Sequence, residues 1–386
     1  MNYFSSDFKL GILGGGQLGK MLLTETRKYD IQTLVLDPSD EAPARFGCNA
    51  FYKGSLLEYD TVYQFGKMVD VLTIEIENVN LEALEKLEEE GLAVYPSPKT
   101  LRLIQNKGRQ KDFYVQHNIP TATYQRFVDI TDLKKAIEKE ELEFPFVWKS
   151  AQGGYDGNGV KIVRSTIDLI GLPEVECIAE DKVPFKNELA VIVSRNPNGE
   201  VKTYPVVEME FHPEANQVEY TICPARVSKK VAEKAQKIAL DVSEAFNHVG
   251  LLAVEMFQTQ EDEIIVNEVA PRPHNSGHYS IEASYTSQFE QHLRAILNLP
   301  LGSSASKVAG IMVNLVGEEG HSGQVHYENL EQIMAIEGVT PHIYGKRETR
   351  PFRKMGHVTI VNEDMATARK IAQEVKNSIR VISRQS

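Results

Sequence analysis

Apolar residues in the N-terminal part of the chain fall by turns into short continuous runs and into helix-spaced rows. The runs KLGIL, TLVLD, VDVLTIEIE and LAVYPSP predict four strands. Between them QLGKMLLTETRKY and LEALEKLEEEG carry apolar residues at helical spacing, the second closed by Gly91. Strand and helix in alternation predict an α/β unit with a parallel sheet. Further on, TLRLIQNKGRQKDFYVQHN predicts a basic helix and IPTATYQRF the strand after it. FPFVWK and GVKIV flank a glycine-rich turn, and ELAVIVSR, VKTYPVVEME and EYTICPA read as strands. VSKKVAEKAQKIALDVSEAFN predicts a long helix, and LLAVEMF with EIIVNEV a hairpin around QTQEDE. The C-terminal stretch predicts a small mixed unit ending in one helix.

At 386 residues the chain exceeds what one core organises, so two or three domains are expected. With 42% hydrophobic and 25% charged residues the composition is globular. A formal charge of −12 argues against a nucleic-acid-coating protein but leaves room for small anions at local basic clusters. Cys48, Cys177 and Cys223 are scattered and form neither a disulfide framework nor a zinc set. The N-terminus lacks a signal-peptide pattern and no apolar run is long enough to span a bilayer, which predicts a soluble cytoplasmic protein without membrane contact.

GILGGGQLGKM fits two phosphate-binding patterns. Gly14, Gly16 and Gly19 fit the dinucleotide fingerprint, with Asp37 ending the next strand where a ribose carboxylate belongs. Gly14, Gly19 and Lys20 fit a P-loop until Met21, which cannot ligate Mg²⁺ as the hydroxyl residue does. A strand-to-helix turn needs glycines for its own geometry, so the loop predicts an anion site at a helix N-terminus and no particular cofactor.

A more informative constellation lies further on. SAQGGYDGNGV sets four glycines between two strands, with Lys149 at the mouth, the composition of a phosphate-covering lid or of a plain surface turn. A turn centred near Glu261 and Asp262 puts Glu255 opposite Asn267 and Glu268. Two carboxylates and an amide on apolar strands suit Mg²⁺ bridging triphosphate oxygens; exposed rim carboxylates are the alternative. APRPHNSGHYS then crowds Arg272, His274, Asn275, Ser276 and His278 together, and KRETRPFRK adds Lys346, Arg350, Arg353 and Lys354. In an acidic chain that basic island points to a bound anion, against the commoner solvated face.

Together GGGQLGKM, TIEIEN, GGYDGNG, VNEVAPRPHNSGHYS and RPFRKMGH resemble the ATP-grasp superfamily and, within it, the carboxyaminoimidazole ribonucleotide synthases of purine biosynthesis. The resemblance covers nearly the whole chain. It implies an ATP-grasp fold of mixed α/β and α+β class: a Rossmann-like pre-ATP-grasp domain over 1–105, a lid over 106–182, and a larger catalytic domain with a β-rich tail over 183–386. It implies ATP contacts at Lys107, Lys149, Gly154, Tyr155, Asp156, Gly157, Asn158, Gly159, Val160, Glu180, Asp181, Lys182, Val183, Glu188, His212, Asn267 and Glu268. Glu255 and Glu268 would hold Mg²⁺, or Mn²⁺ in its place. Aminoimidazole ribonucleotide would meet Glu75, Tyr155, Asp156, Arg272, His274, Asn275, Ser276, Lys346, Arg353 and Lys354. Asn158 stands where the family carries Arg or Lys, Lys107 where it carries Arg, and the segment after His212 is one residue longer than usual.

The implied reaction joins bicarbonate to the exocyclic amine of the ribonucleotide with cleavage of ATP to ADP and phosphate, through carboxyphosphate. Asp156 is the expected base and Tyr155 orients beside it, with Arg353 and Lys354 completing the catalytic set. The family implies a homodimer. Three other functions stay open at this point: another ATP-grasp purine ligase such as a formate-using transformylase, a nicotinamide oxidoreductase, and a nucleotide sensor without turnover.

Overall fold

The computed structural model describes residues 3–153, 159–212 and 217–384. Its first sheet holds five parallel strands in the order Ala50–Lys53, Gln32–Asp37, Lys9–Leu13, Val71–Ile74 and Ala93–Tyr95. Four match the apolar runs; Ala50–Lys53 went unpredicted because this edge strand, AFYK, is short and half-exposed. Helix Tyr59–Gly66, which buries only Val62, Phe65 and Gly66, also escaped the reading.

The basic helix expected from TLRLIQNKGRQKDFYVQHN is two helices, Pro98–Ile104 and Lys107–Gln116. Asn106 breaks it, because its side chain accepts the Arg109 N–H and caps the second helix. Ile104 and Tyr114 from this stretch, with Ile119 just after it, join the core of the large sheet.

Residues 124–181 carry a four-stranded antiparallel sheet in the order Tyr124–Phe127, Cys177–Asp181, Phe146–Ser150 and Val160–Val163. Helix Ile130–Glu138, capped by Asp129, covers it with Ile130, Leu133 and Ala136, and had not been read from the sequence.

The large sheet has nine strands. Its path runs Ile264–Ala270, Gly250–Thr259, Phe185–Arg195, Val207–Phe211, Val218–Cys223, Ala309–Val316, Lys354–Asn362 and Val339–Ile343, all antiparallel, with Val201–Thr203 beside Phe185–Arg195. VKTYPVVEME is thus two strands. The helix Lys229–Phe246 buries Val231, Ala235, Ile238, Ala239, Val242 and Phe246 against one face, the periodicity its sequence shows. Helix Met365–Ser378 is followed by a strand, Arg380–Ser383, so the chain does not end on the helix.

Helix Gln288–Ile296 joins the first sheet to the large one. Glu290 takes an ion pair from Lys28 at 2.6 Å and the Tyr29 hydroxyl at 2.9 Å. His292 Nδ1 accepts the Leu251 N–H at 3.3 Å, so its Nε2–H donates to Thr73 Oγ1 at 3.0 Å. Burial pushes this imidazole down to about 3, so it stays neutral while the unfolded chain's histidine protonates below about 6.5. Stability tied to His292 is therefore complete above pH 6.5 and is lost as pH falls from there toward 3. His292→Gln keeps a donor and an acceptor but cannot titrate. Urea unfolding of both proteins should show the wild type losing about 1.4 kcal/mol per pH unit relative to the variant below pH 6.5; parallel curves would refute it.

Candidate active site

The opening loop is filled from within. Glu75, at the end of the neighbouring strand, accepts the Gly16 N–H at 2.9 Å and the Leu18 and Gly19 N–H groups at 3.1 Å. Asp37 accepts the Gly15 N–H at 2.7 Å. Gly14 has φ +97°, and a Cβ there would strike Glu75. The helix N-terminus expected to bind a ligand anion thus already holds a carboxylate of its own chain. Burial raises the Glu75 pKa, opposed by the Gly19 and Gly16 N–H groups and by Arg272. Fluorescence titration with NADH or NADPH should therefore show no binding, and micromolar affinity for either would contradict this account.

The hairpin forms as its sequence predicts. Glu255 lies directly opposite Glu268, and a register shift after Glu255 leaves Asn267 in the bulge beside them. Lys107 pairs with Glu268, and the Lys107 charge holds the Glu268 carboxyl below the usual carboxylate range. The Lys107 pKa stands raised in spite of burial, through Glu268 first and then Glu180 and Glu255. Glu255 moves the other way: burial first, then the Glu268 charge, raise its pKa. His274 Nε2 lies 3.1 Å from Glu255 Oε1.

Lys149, near the end of strand Phe146–Ser150, bridges the four-stranded sheet and the large one. Its ammonium is 2.8 Å from Glu180 and donates to Asn267 Oδ1 at 2.8 Å. Glu180 is buried between Lys149 and Lys111, the latter at 3.2 Å, and these two cations outweigh burial to keep its pKa low. Lys111 also donates to Thr121 Oγ1 at 2.6 Å, and burial brings its ammonium down to about 8. The sequence reading missed Lys111, although it stands four residues after Lys107 and so on the same helix face. Glu188, on the neighbouring strand, is pushed up to about 7 by burial, against the pull of Lys149.

Asp181 ends strand Cys177–Asp181, its N–H donating to Thr123 O at 2.9 Å, and Lys182 and Val183 lead into the large sheet. Gly159 closes the hairpin mouth through its carbonyl, which accepts the Ser150 N–H at 2.8 Å, and Val160 pairs with Lys149. Gly154, Tyr155, Asp156, Gly157 and Asn158 lie outside the described residues.

On the other side, Arg272 Nε lies 2.8 Å from Glu77. Asn275 and Asn314 exchange amide hydrogen bonds at 2.9 and 3.0 Å. Ser276 is buried beside His274 Nδ1, at 2.9 Å through its hydroxyl. Lys354 is near enough to Glu255 to favour that group's charged form. Lys346 donates to the Lys354 carbonyl at 2.7 Å and Arg353 to the Glu348 carbonyl at 2.6 Å. His212 lines a cavity of about 290 Å³ with Gln217, Asn314, Phe352 and Lys376. Asn314 and His342, whose ring stacks on His357 beside His278, had no local signal in the sequence; Glu77 and His357 lie within TIEIEN and RPFRKMGH, but nothing in those motifs singles them out.

Five groups from separate segments thus meet: Lys107, Lys149, the Glu255–Glu268 pair and His274. Two ammonium groups stand beside the two facing carboxylates, and among the described residues no group of three or more His, Cys, Asp or Glu is arranged to hold a metal by itself. Such a site can take a polyphosphate through its ammonium groups and share a cation with it through the paired carboxylates.

Known families match three stretches of the chain in order. Residues 8–105 match the ribonucleotide synthetase preATP-grasp domain, 112–289 the ATP-grasp domain, and 310–371 the phosphoribosylaminoimidazole carboxylase C-terminal domain. The chain is 40% identical to the chloroplastic phosphoribosylaminoimidazole carboxylase of Vigna aconitifolia, matching 93% of this chain but 65% of that protein's length. It is 37% identical to N5-carboxyaminoimidazole ribonucleotide synthase of Bacillus subtilis over 92% of this chain and 91% of the relative. The crystal structure of the Aspergillus clavatus N5-carboxyaminoimidazole synthase in complex with ADP and 5-aminoimidazole ribonucleotide superposes with a TM-score of 0.86 at 36% identity, over 96% of this chain and 98% of that one. The chain therefore belongs to the N5-carboxyaminoimidazole ribonucleotide synthase family, built on the ATP-grasp fold.

Proposed function

We propose that this chain carboxylates 5-aminoimidazole ribonucleotide with bicarbonate, cleaving ATP to ADP and phosphate. The observation that carries the reading is the meeting of Lys107, Lys149 and the Glu255–Glu268 pair on one side with His274 and Lys354 on the other. In this reading the chain divides into parts spanning 1–105, 106–182 and 183–386, with ATP proposed between the last two. Lys149 and Lys107 face its phosphates, and Glu180 to Val183 form the connection beside the adenine. Burial first, and then the facing Glu268 charge, raise the Glu255 pKa, and a cation shared by the two carboxylates would relieve that second contribution, which fits Mg²⁺ held by Glu255 and Glu268. When bound, Mg²⁺ would offset phosphate charge as the γ-phosphoryl group transfers.

In the chemistry, a bicarbonate oxygen attacks the γ-phosphorus and ADP leaves, giving carboxyphosphate. Its C–O bond to phosphate breaks, releasing phosphate and CO₂, and the substrate amine attacks the CO₂ carbon. The amine then gives up one proton, the role assigned to Asp156, with Tyr155 beside it. Lys107 and Lys149 offset charge on the transferring group, and closure of the site protects carboxyphosphate from water. Glu75, Arg272, His274, Asn275, Ser276, Lys346, Arg353 and Lys354 form the ribonucleotide side. A homodimer is the proposed assembly, which sedimentation equilibrium would test.

An assay of ADP with protein, ATP and Mg²⁺ tests the function directly. Full turnover should need both bicarbonate and aminoimidazole ribonucleotide and yield the carboxylated amine; formate replacing bicarbonate, or no dependence on the ribonucleotide, would overturn it. Arg353→Ala and Lys354→Ala should each weaken the ribonucleotide by about 1.5–3 kcal/mol while ATP affinity stays near wild type. A larger rise in KM for ATP than for the ribonucleotide would remove both residues from the substrate side.

A further inference from the structure

The HNSGH segment is held from behind by one wholly buried side chain. Gln288, the first residue of the helix that docks on the N-terminal sheet, accepts the His274 N–H on its amide oxygen at 2.9 Å. Its amide nitrogen donates to the His274 carbonyl at 2.8 Å and lies 2.9 Å from His278 Nδ1. The side chain thus satisfies both backbone polar groups of His274, as a neighbouring strand would. Ser280 Oγ accepts the Gln288 N–H at 2.9 Å and donates to the Gly277 carbonyl at 2.6 Å. A Cβ on Gly277 would collide with Ile192 and with the Gln288 amide, so the turn closes directly onto that amide.

The front of the same segment faces the carboxylate pair. His274 Nδ1 accepts the Ser276 N–H, which leaves the proton on Nε2, toward Glu255. The direction of the ring therefore follows from the backbone that Gln288 holds. Lys28, Tyr29, Glu25 and Thr73 fix the helix carrying Gln288 to the N-terminal domain.

We propose that Gln288 is a positioning residue for the ribonucleotide site: without touching substrate, its amide sets the His274 backbone, and through it the imidazole facing Glu255. The proposal rests on the reading of HNSGH as part of the ribonucleotide site.

Steady-state kinetics of Gln288→Met and Gln288→Glu, with His274→Ala as reference and urea melts alongside, test it. Methionine fills the volume without either hydrogen bond, so KM for the ribonucleotide should rise about tenfold or more while KM for ATP changes less than about twofold. A protonated carboxyl offers the amide's donor and acceptor, whereas a carboxylate only accepts. Position 288 is wholly buried, which raises the pKa of a carboxyl placed there well above the ordinary range. In Gln288→Glu, KM for the ribonucleotide, taken relative to wild type at each pH, should therefore approach the wild-type value near about pH 6 and climb by about pH 8.5. The groups facing position 288 are His274 and His278 directly, with His342, His357, Arg272 and Lys354 around His278 and Glu290 on its own helix. The comparison with wild type cancels their own titration. A merely structural role would lower stability and raise both KM values together, without that pH signature.

If His274→Ala raises the ribonucleotide KM and Gln288→Met leaves it within about twofold, the proposal falls and the site reading stands. If neither variant changes it, the site reading itself falls. Should the methionine variant fail to fold, a pH-independent ratio in Gln288→Glu overturns the proposal by itself.

Discussion

Glu268→Gln is expected to cut ADP production by on the order of 10²–10³-fold while the protein stays folded. The substitution keeps the shape at the bulge and leaves an amide oxygen for the Lys107 ammonium. Glu180 and Glu255 still surround that ammonium, so its charge is not stranded. What disappears is one of two facing carboxylates, half of the charge proposed to share a cation with the phosphates. Glu255 should then ionise more readily, since the Glu268 charge is the second cause of its raised pKa after burial. Two measurements check this: ADP release across a Mg²⁺ titration, and the urea midpoint. Near wild-type turnover at low Mg²⁺ would show that Glu268 is not a metal ligand.

Asp156→Asn should separate the two halves of the reaction. Asparagine matches the aspartate in size but cannot accept a proton at neutral pH. If carboxyphosphate forms before the amine reacts, ATP cleavage with bicarbonate should persist. The carboxylated product should fall by on the order of 10²–10⁴-fold, the usual worth of a positioned base. If Asp156 instead caps a turn beside its glycines, both outputs should fall together, because the lid would close badly. ADP and product measured side by side decide, and proportional losses remove Asp156 from the catalytic set.

The Glu255–Glu268 pair was legible in the sequence for a local reason. Alternation along LLAVEMF and EIIVNEV, with QTQEDE between, determined a hairpin, and a hairpin's register follows from its turn, so Glu255 opposite Glu268 could be read in advance. The helix Lys229–Phe246 and four strands of the first sheet were equally legible, because a period of 3.6 or an apolar run is written in neighbouring residues. The Ala50–Lys53 strand was not, since a short, half-exposed edge strand needs no apolar run. The break at Asn106 was hidden because the residues on both sides favour helix, and one side-chain cap decided it.

Tertiary structure alone decided which groups meet which. Glu75 reaches the Gly16-to-Gly19 loop because the strand before it lies parallel to the strand that opens the loop. That contact, 59 residues apart, gives the loop's N–H groups a carboxylate partner from their own chain. Lys111 had a signal in its spacing from Lys107, but its pairing with Glu180 depends on how that helix meets the lid sheet. Gln288 had none, because its partners His274 and His278 are fixed by the turn between two elements. The sequence by itself determined the elements, the hairpin register and the chemistry-bearing segments, since these depend on spacing within a few residues. Which carboxylate stays charged, which loop is already filled and what holds His274 were decided by packing, because burial and opposed charge exist only once distant segments are in contact.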